Sequence, residues 1–327
     1  MPRFDLPLDE LRTFSPAVRE PADFDDFWRA TLAEARAAAQ DPVIERVETP
    51  LTTIDAFDVT FSGFAGDPIK AWLTVPAAAG EPLPAVVEFI GYNGGRGLPV
   101  ERLGWASSGH AHLVMDTRGQ GALWGMGGHT PDPHGSGPAT PGFMTRGIVD
   151  PAEYFYRRVF TDAVRAVDTV RALPQVDASR VTVTGTSQGG GIALAAGGLS
   201  EGLVAVLADV PFLCHFERAV GMTGHDPYEE IVRYLAVHRG ADDRVFETLS
   251  YFDGANFATR ASAPGLFSVA LHDMICPPST VYTAFNRYAH ADKQIEVYTH
   301  NQHEGGQAVQ WMVQAGFVGE RMPVAAA

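Results

Sequence analysis

The chain has 327 residues, 46% of them hydrophobic, and a formal net charge of −15 at pH 7. Its length and apolar content suit one large α/β unit with insertions, and no linker or repeat divides it. The acidic balance argues against nucleic acid or an anionic membrane as partner, since a phosphate-tracking surface has to be basic.

The N-terminal MPRFDLPLDELRTF holds no apolar run long enough for a signal segment or a membrane span, so a soluble cytoplasmic protein is expected. PADFDDFWRATLAEARAAA then reads as an amphipathic helix, followed by two strand-like runs, IDAFDVTFSG and IKAWLTVPA, that pair across a Gly-Asp turn as an antiparallel edge. PAVVEFIG and HAHLVMD are near-continuous apolar runs of the kind buried on both faces of a sheet. FTDAVRAVDTVRALPQV has helical spacing, and RVTVTG, LVAVLADV, GLFSVAL and QIEVYT repeat the strand signal with IALAAGGLS and VYTAFNRYAHA as helices between some of them. This alternation predicts a doubly wound, mostly parallel sheet within a single unit over residues 1–327 that carries an N-terminal extension. Two segments break the rhythm. Residues 119–147 form a Gly/Pro-rich excursion too long for an ordinary connection, and 213–262 form a helical, cap-like insertion. Only Cys214 and Cys276 are present, too few for a disulfide scaffold and consistent with two buried thiols.

Ser187 lies in G-x-S-x-G (Gly185 to Gly189), at the junction between the strand RVTVTG and the helix GGIALAAG. That context fits a nucleophile elbow, whose tight turn needs small neighbours and whose helix N-terminus favours a developing negative charge. Asp273 follows the strand GLFSVAL, and His303 follows QIEVYT. The order Ser, Asp, His is the one in which an α/β-hydrolase supplies nucleophile, acid and base from the carboxyl ends of successive strands. His303 would take the Ser187 proton and Asp273 would hold the imidazole in one tautomer. His300 sits on the strand and His272 points away, Asp253 in the insertion is a weaker acid candidate, and His129 and His134 lack further ligands at metal spacing. The loop after PAVVEFIG offers the backbone N–H of Tyr92 as one oxyanion donor, with Gln188, directly after the nucleophile, as the other.

MDTRGQG (Met115 to Gly121), GTSQGG (Gly185 to Gly190) and HEGG (His303 to Gly306), with IGYNGGRG, PGFMTRGI, DVPFLCHF, LSYFDGANFA and ICPPST, resemble carbohydrate esterase family 7, the acetyl xylan esterases also called cephalosporin C deacetylases. The resemblance runs through nearly the whole chain. It implies an α/β-hydrolase fold, the triad Ser187, Asp273 and His303, and removal of acetyl groups from short xylan oligomers and cephalosporin C without a metal or organic cofactor. It also implies a homo-oligomeric ring, typically a hexamer, to which the excursion contributes contacts. It places bulky residues around the acyl group, here Tyr92, Phe212, Pro227 and Ile275. Within the RGQ motif (Arg118, Gly119, Gln120), Arg118 reads as a buried arginine tying loops beneath the nucleophile. His272 departs from the family pattern, where methionine is commoner, and so does Asn301-Gln302 before the base. A peptidase on the same fold, or a binding protein that has lost catalysis, are the alternatives.

Overall fold

The computed structural model describes residues 4–135 and 137–324. Nine strands are present among them: β1 (Val43–Val47), β2 (Ile54–Ser62), β3 (Pro68–Pro76), β4 (Leu83–Phe89), β5 (Ala111–Met115), β6 (Val176–Thr186), β7 (Ala205–Asp209), β8 (Gly265–Ala270) and β9 (Lys293–Tyr298). They form one sheet in the order β1-β2-β3-β5-β4-β6-β7-β8-β9. The pairs from β1 through β3 to β5 are antiparallel, and every pair from β5 onward is parallel.

Side-chain alternation along the central strands sorts the core into two layers. Val87, Val206 and Ala208 pack beneath the helices Phe155–Ala172 and Gln188–Leu199, whereas Val86, Ala205 and Leu207 face Trp105, Phe317 and Val318 on the other side. Because both faces are covered, β5, β7 and β8 are buried along their whole length. The arrangement is the α/β-hydrolase fold expected from the sequence.

β1 and the C-terminal helix escape the sequence pattern, as do the short helices Leu8–Leu11 and Gly104–Ser107. The antiparallel edge is β1 rather than the β2–β3 hairpin, and VIERV gave no strand signal because none of its side chains is fully buried. The C-terminal helix Gln307–Arg321 exposes Val309 and Met312 to solvent, which blurs its amphipathic period. No helix among the described residues is long and apolar enough to cross a membrane.

Among its described residues the 119–147 excursion contains neither helix nor strand, and charged side chains fix it instead. Asp132 accepts two hydrogen bonds from Arg158, at 3.0 and 2.8 Å, and Asp116 accepts from Thr130 N at 2.9 Å. Residues 213–262 carry the helices Phe216–Met222, Tyr228–Val237, Asp242–Ser250 and Gly254–Ala258. The last packs on the helix Gln188–Leu199, and only the turn around Asp226–Glu230 reaches the cavity above Ser187.

Candidate active site

Ser187 sits between β6 and the helix Gln188–Leu199 with φ 60° and ψ −119°, a conformation that costs a non-glycine residue energy and persists only where its surroundings enforce it. The enforcing contacts are backbone hydrogen bonds: Ser187 N donates to Asp209 O at 2.9 Å, and Phe212 N donates to Ser187 O at 2.9 Å. The flanking glycines are steric requirements. A Cβ at Gly185 would lie 2.2 Å from the carbonyl carbon of Gly189, and one at Gly189 would lie 2.1 Å from Phe89 O.

Asp273 and His303 arrive from the loops after β8 and β9, so all three side chains stand at the carboxyl ends of parallel strands. His303 Nε2 lies 2.9 Å from Ser187 Oγ, and Nδ1 lies 2.7 Å from Asp273 Oδ2. Asp273 is fully buried, and its Oδ1 accepts the N–H groups of Ile275 and Cys276, each at 2.8 Å. That leaves Oδ2 to accept from Nδ1–H, so Nε2 is free to accept the serine hydroxyl. The result is a hydrogen-bonded line of acid, base and nucleophile.

Two backbone donors face the same point. Gln188 is the first residue of its helix, where an N–H has no intrahelical acceptor. Neither its amide nor that of Tyr92 finds an acceptor among the described residues. Side chains lock both donors in place. Gln120 Nε2 donates to Gln188 Oε1 at 2.9 Å, Gln188 Nε2 donates to Gln120 Oε1 at 3.1 Å, and Gln120 Oε1 also accepts Asn93 N at 2.8 Å. Tyr156 OH adds a bond to Gln188 Oε1 at 2.9 Å. On the opposite wall, Tyr92 OH donates to Glu230 Oε1 at 2.6 Å, and Glu230 Oε2 accepts Met144 N at 3.0 Å. Burial raises the Glu230 carboxyl, with the Tyr92 hydroxyl pulling the other way, while burial and the nearby Glu230 charge push the Tyr92 phenol well above its ordinary value.

These groups surround a cavity of about 710 Å³ with Ser187 and His303 in its wall, within the range of small-molecule sites. Glu88 and Arg102 line it as an ion pair. Burial works to raise the Glu88 carboxyl, but Arg102 and His112 outweigh it and hold it down to about 2. Among the described residues, the side chains spaced to close on one metal ion are Asp273, Cys276 and His303. Two of these are already hydrogen-bonded to each other.

The model of the acetyl xylan esterase family matches residues 1–320. The chain belongs to that family. As a member, the enzyme is a serine hydrolase of the α/β-hydrolase type. Its structure is similar to an acetyl xylan esterase from Paenibacillus sp. R4, at TM-score 0.91 and 39% identity over 97% of this chain and 100% of that one. It is also similar to acetyl xylan esterase 1 from Thermoanaerobacterium sp. JW/SL YS485, at TM-score 0.88 and 30% identity over 96% and 99% of the two chains. The acetyl esterase Axe7A of Xylanibacter ruminicola is 28% identical over 83% of this chain, which spans 61% of that curated relative's length.

Of the four residues expected around the acyl group of this esterase, Tyr92, Pro227 and Ile275 line the cavity. Phe212 does not. It is fully buried behind Tyr92, with ring centroids 6.2 Å apart, and packs on Tyr228 at 4.3 Å. Arg118 is buried and ties loops, but to a different place: it bonds Asp162 at 2.6 and 2.8 Å and Asp67 at 2.8 Å, joining the helix Phe155–Ala172 to the β2–β3 turn. Gln120 is the residue of that motif that reaches the nucleophile turn. Asp253 caps the helix Gly254–Ala258 and accepts His215 N at 2.8 Å and Phe216 N at 3.1 Å, away from the cavity. His300 is exposed, and His134 pairs with Asp67 at 2.7 Å. His272 is half-buried outside the cavity wall, its amide donating to Asn301 O at 3.1 Å. Asn301 in turn donates to Glu304, bracing the loop that carries His303. Sequence named Gln120 only as part of the RGQ motif, without its bond to Gln188, and missed Glu230 altogether, because the partners of both lie far along the chain.

Proposed function

We propose that this enzyme removes O-acetyl groups from short acetylated xylo-oligosaccharides and related small acetyl esters, including cephalosporin C, through an acetyl-enzyme intermediate on Ser187. The observation that carries the reading is the Ser187–His303–Asp273 line opening into a cavity that also presents the free amides of Tyr92 and Gln188. Ser187 Oγ attacks the acetyl carbonyl carbon while His303 Nε2 takes its proton. The tetrahedral oxyanion is held by the two amides, and Asp273 stabilises the imidazolium. Collapse breaks the ester bond, and His303 returns the proton to the sugar oxygen that leaves. Water, deprotonated by the same imidazole, then attacks the acetyl-serine, releasing acetate and restoring Ser187.

The family membership and the named activities of its relatives support acetyl esters over amides. Exposed Leu123 and Met126 on the excursion support a ring of subunits, hexameric by the family resemblance, that admits oligomers rather than polymer. The test is acetate release from defined acetylated xylo-oligosaccharides, from insoluble acetylated xylan and from matched anilides, with and without a serine-directed phosphonate. Hydrolysis of short oligomers that the phosphonate abolishes is expected. Faster cleavage of anilides than of acetyl esters would overturn the reading in favour of a peptidase.

A further inference from the structure

Trp124 is held more firmly than its position in the Gly/Pro-rich excursion requires. Its Nε1 donates to Tyr92 O at 2.7 Å, and its backbone forms an isolated parallel bridge with Gly94. One side of the indole lies against the loop after β4: a Cβ at Gly94 would come within 2.3 Å of ring atom Cζ2, and one at Gly91 within 3.3 Å. Yet Trp124 remains 45% exposed and lines the same cavity as Ser187. A large aromatic plane fixed on one face and open on the other is costly to leave against water, and it matches the apolar C–H face of a sugar ring. Asn93, Asp226 and Glu304 line the same cavity and supply hydrogen-bonding groups for ring hydroxyls, Asp226 and Glu304 each through the carboxylate oxygen not already bonded to Arg233 or Asn301. Arg102, the arginine in the cavity lining, is committed to Glu88, so a ligand carboxylate would find no guanidinium free to receive it.

We propose that Trp124 is the platform on which a neutral sugar ring of the ester's alcohol portion stacks while its acetyl group reaches Ser187. This rests on the acetyl esterase reading above. Tethering the platform to the Tyr92 carbonyl fixes the sugar relative to the oxyanion donor on the same residue, so ring binding and carbonyl placement are set by one loop.

The experiment compares the full-length enzyme with Trp124→Gln, which keeps an N–H for Tyr92 O but has no ring, and Trp124→Phe, which keeps a ring but no donor. Each is assayed on acetylated xylotriose and on ethyl acetate, and xylotriose is titrated as an inhibitor of ethyl acetate hydrolysis. In Trp124→Gln the ratio of kcat/KM on sugar to that on ethyl acetate falls about tenfold, chiefly through KM, and inhibition by xylotriose weakens in parallel. In Trp124→Phe the ratio stays within about threefold of wild type. Equal losses on both substrates in both variants would show that Trp124 merely props the oxyanion loop, and would overturn the proposal. So would an unchanged ratio accompanied by dissociation in sedimentation, since the ring would then cover a subunit contact. A wild type inactive on acetylated xylotriose but inhibited by xylotriose through Trp124 would sink the substrate reading and keep the platform. A wild type neither acting on the sugar nor inhibited by it would sink both.

Discussion

Gln120 and Gln188, 68 positions apart, face each other as a reciprocal amide pair, each donating its Nε2 to the other's Oε1, at 2.9 and 3.1 Å. Since Gln120 also holds Asn93 N and Gln188 follows the nucleophile, the pair sets the spacing between the two oxyanion amides. Gln120→Glu keeps the shape and the acceptor but turns a carboxylate oxygen toward Gln188 Oε1. Deleting an oxyanion donor outright costs about a hundredfold to a thousandfold in turnover, so displacing one is expected to lower kcat by about tenfold to a hundredfold with little change in KM. Steady-state kinetics alongside thermal melting check this; a lower melting temperature with kcat intact would reduce the pair to a packing device.

The hydrogen-bonded line itself predicts a steep contrast between residues that look alike on paper. Ser187→Ala and His303→Ala should each lose roughly a millionfold in turnover, because nucleophile and base act as a unit. Asp273→Asn should lose about ten-thousandfold by permitting the wrong imidazole tautomer. Asp253→Asn is expected to lower the melting temperature and keep turnover, since that carboxylate accepts three backbone amides, of His215, Phe216 and Ala255. Turnover and melting measured together separate these outcomes, and a larger loss of turnover for Asp253→Asn than for Asp273→Asn would reassign the acid.

What could be read from sequence, and what could not, follows the range of the contacts involved. Ser187, Asp273 and His303 were legible because Ser187 directly follows β6 and the other two lie in the short loops after β8 and β9, strands whose apolar or alternating runs are local signals. Glu230 was not. Its partner Tyr92 lies 138 positions away, and nothing near either residue hints at the other before the insertion folds over the loop. Phe212 was misplaced for a related reason: its position three residues past β7 is local information, but whether its ring faces the cavity or backs Tyr92 depends on Tyr228 in the insertion. The strand β1 escaped because an exposed edge carries no burial period to detect.

Asp209 gives the enzyme a built-in pH dependence of stability. It ends β7, is buried, and accepts from Gln310 Nε2 at 2.8 Å and Gln314 Nε2 at 2.6 Å. Burial pushes its carboxyl up to about 7 in spite of those donors. The folded state therefore keeps a proton that the unfolded chain releases near the ordinary value of about 4. The stabilising contribution is complete below that value and is lost as pH rises through about 7. Asp209→Asn stays neutral throughout, so wild-type melting temperature should fall relative to the variant between about pH 5 and about pH 8. Parallel melting curves for the two proteins across that range would show that the carboxyl is not protonated in the fold.

Acyl length tests the wall of the cavity nearest Asp273. Ile275 lines the cavity, and its backbone N–H, which no side-chain substitution removes, donates to Asp273 Oδ1. Each added methylene buried in an open pocket gains about 0.8 kcal/mol, so an unobstructed wall would make butyrate better than acetate. Tyr92 and Pro227 stand around the same space, Tyr92 fixed by its bond to Glu230, so a longer chain meets side chains that cannot retreat. Overpacking costs about 1 to 3 kcal/mol, enough to reverse the methylene gain. Wild-type kcat/KM on matched nitrophenyl esters should therefore decline from acetate through butyrate to octanoate. Ile275→Ala should open the wall while leaving the Asp273 anchor in place, raising the butyrate-to-acetate ratio by about tenfold for two methylenes newly accommodated. A wild-type optimum at butyrate or beyond would remove the acetyl preference, whereas an unchanged ratio in Ile275→Ala would move the acyl group to another wall of the cavity.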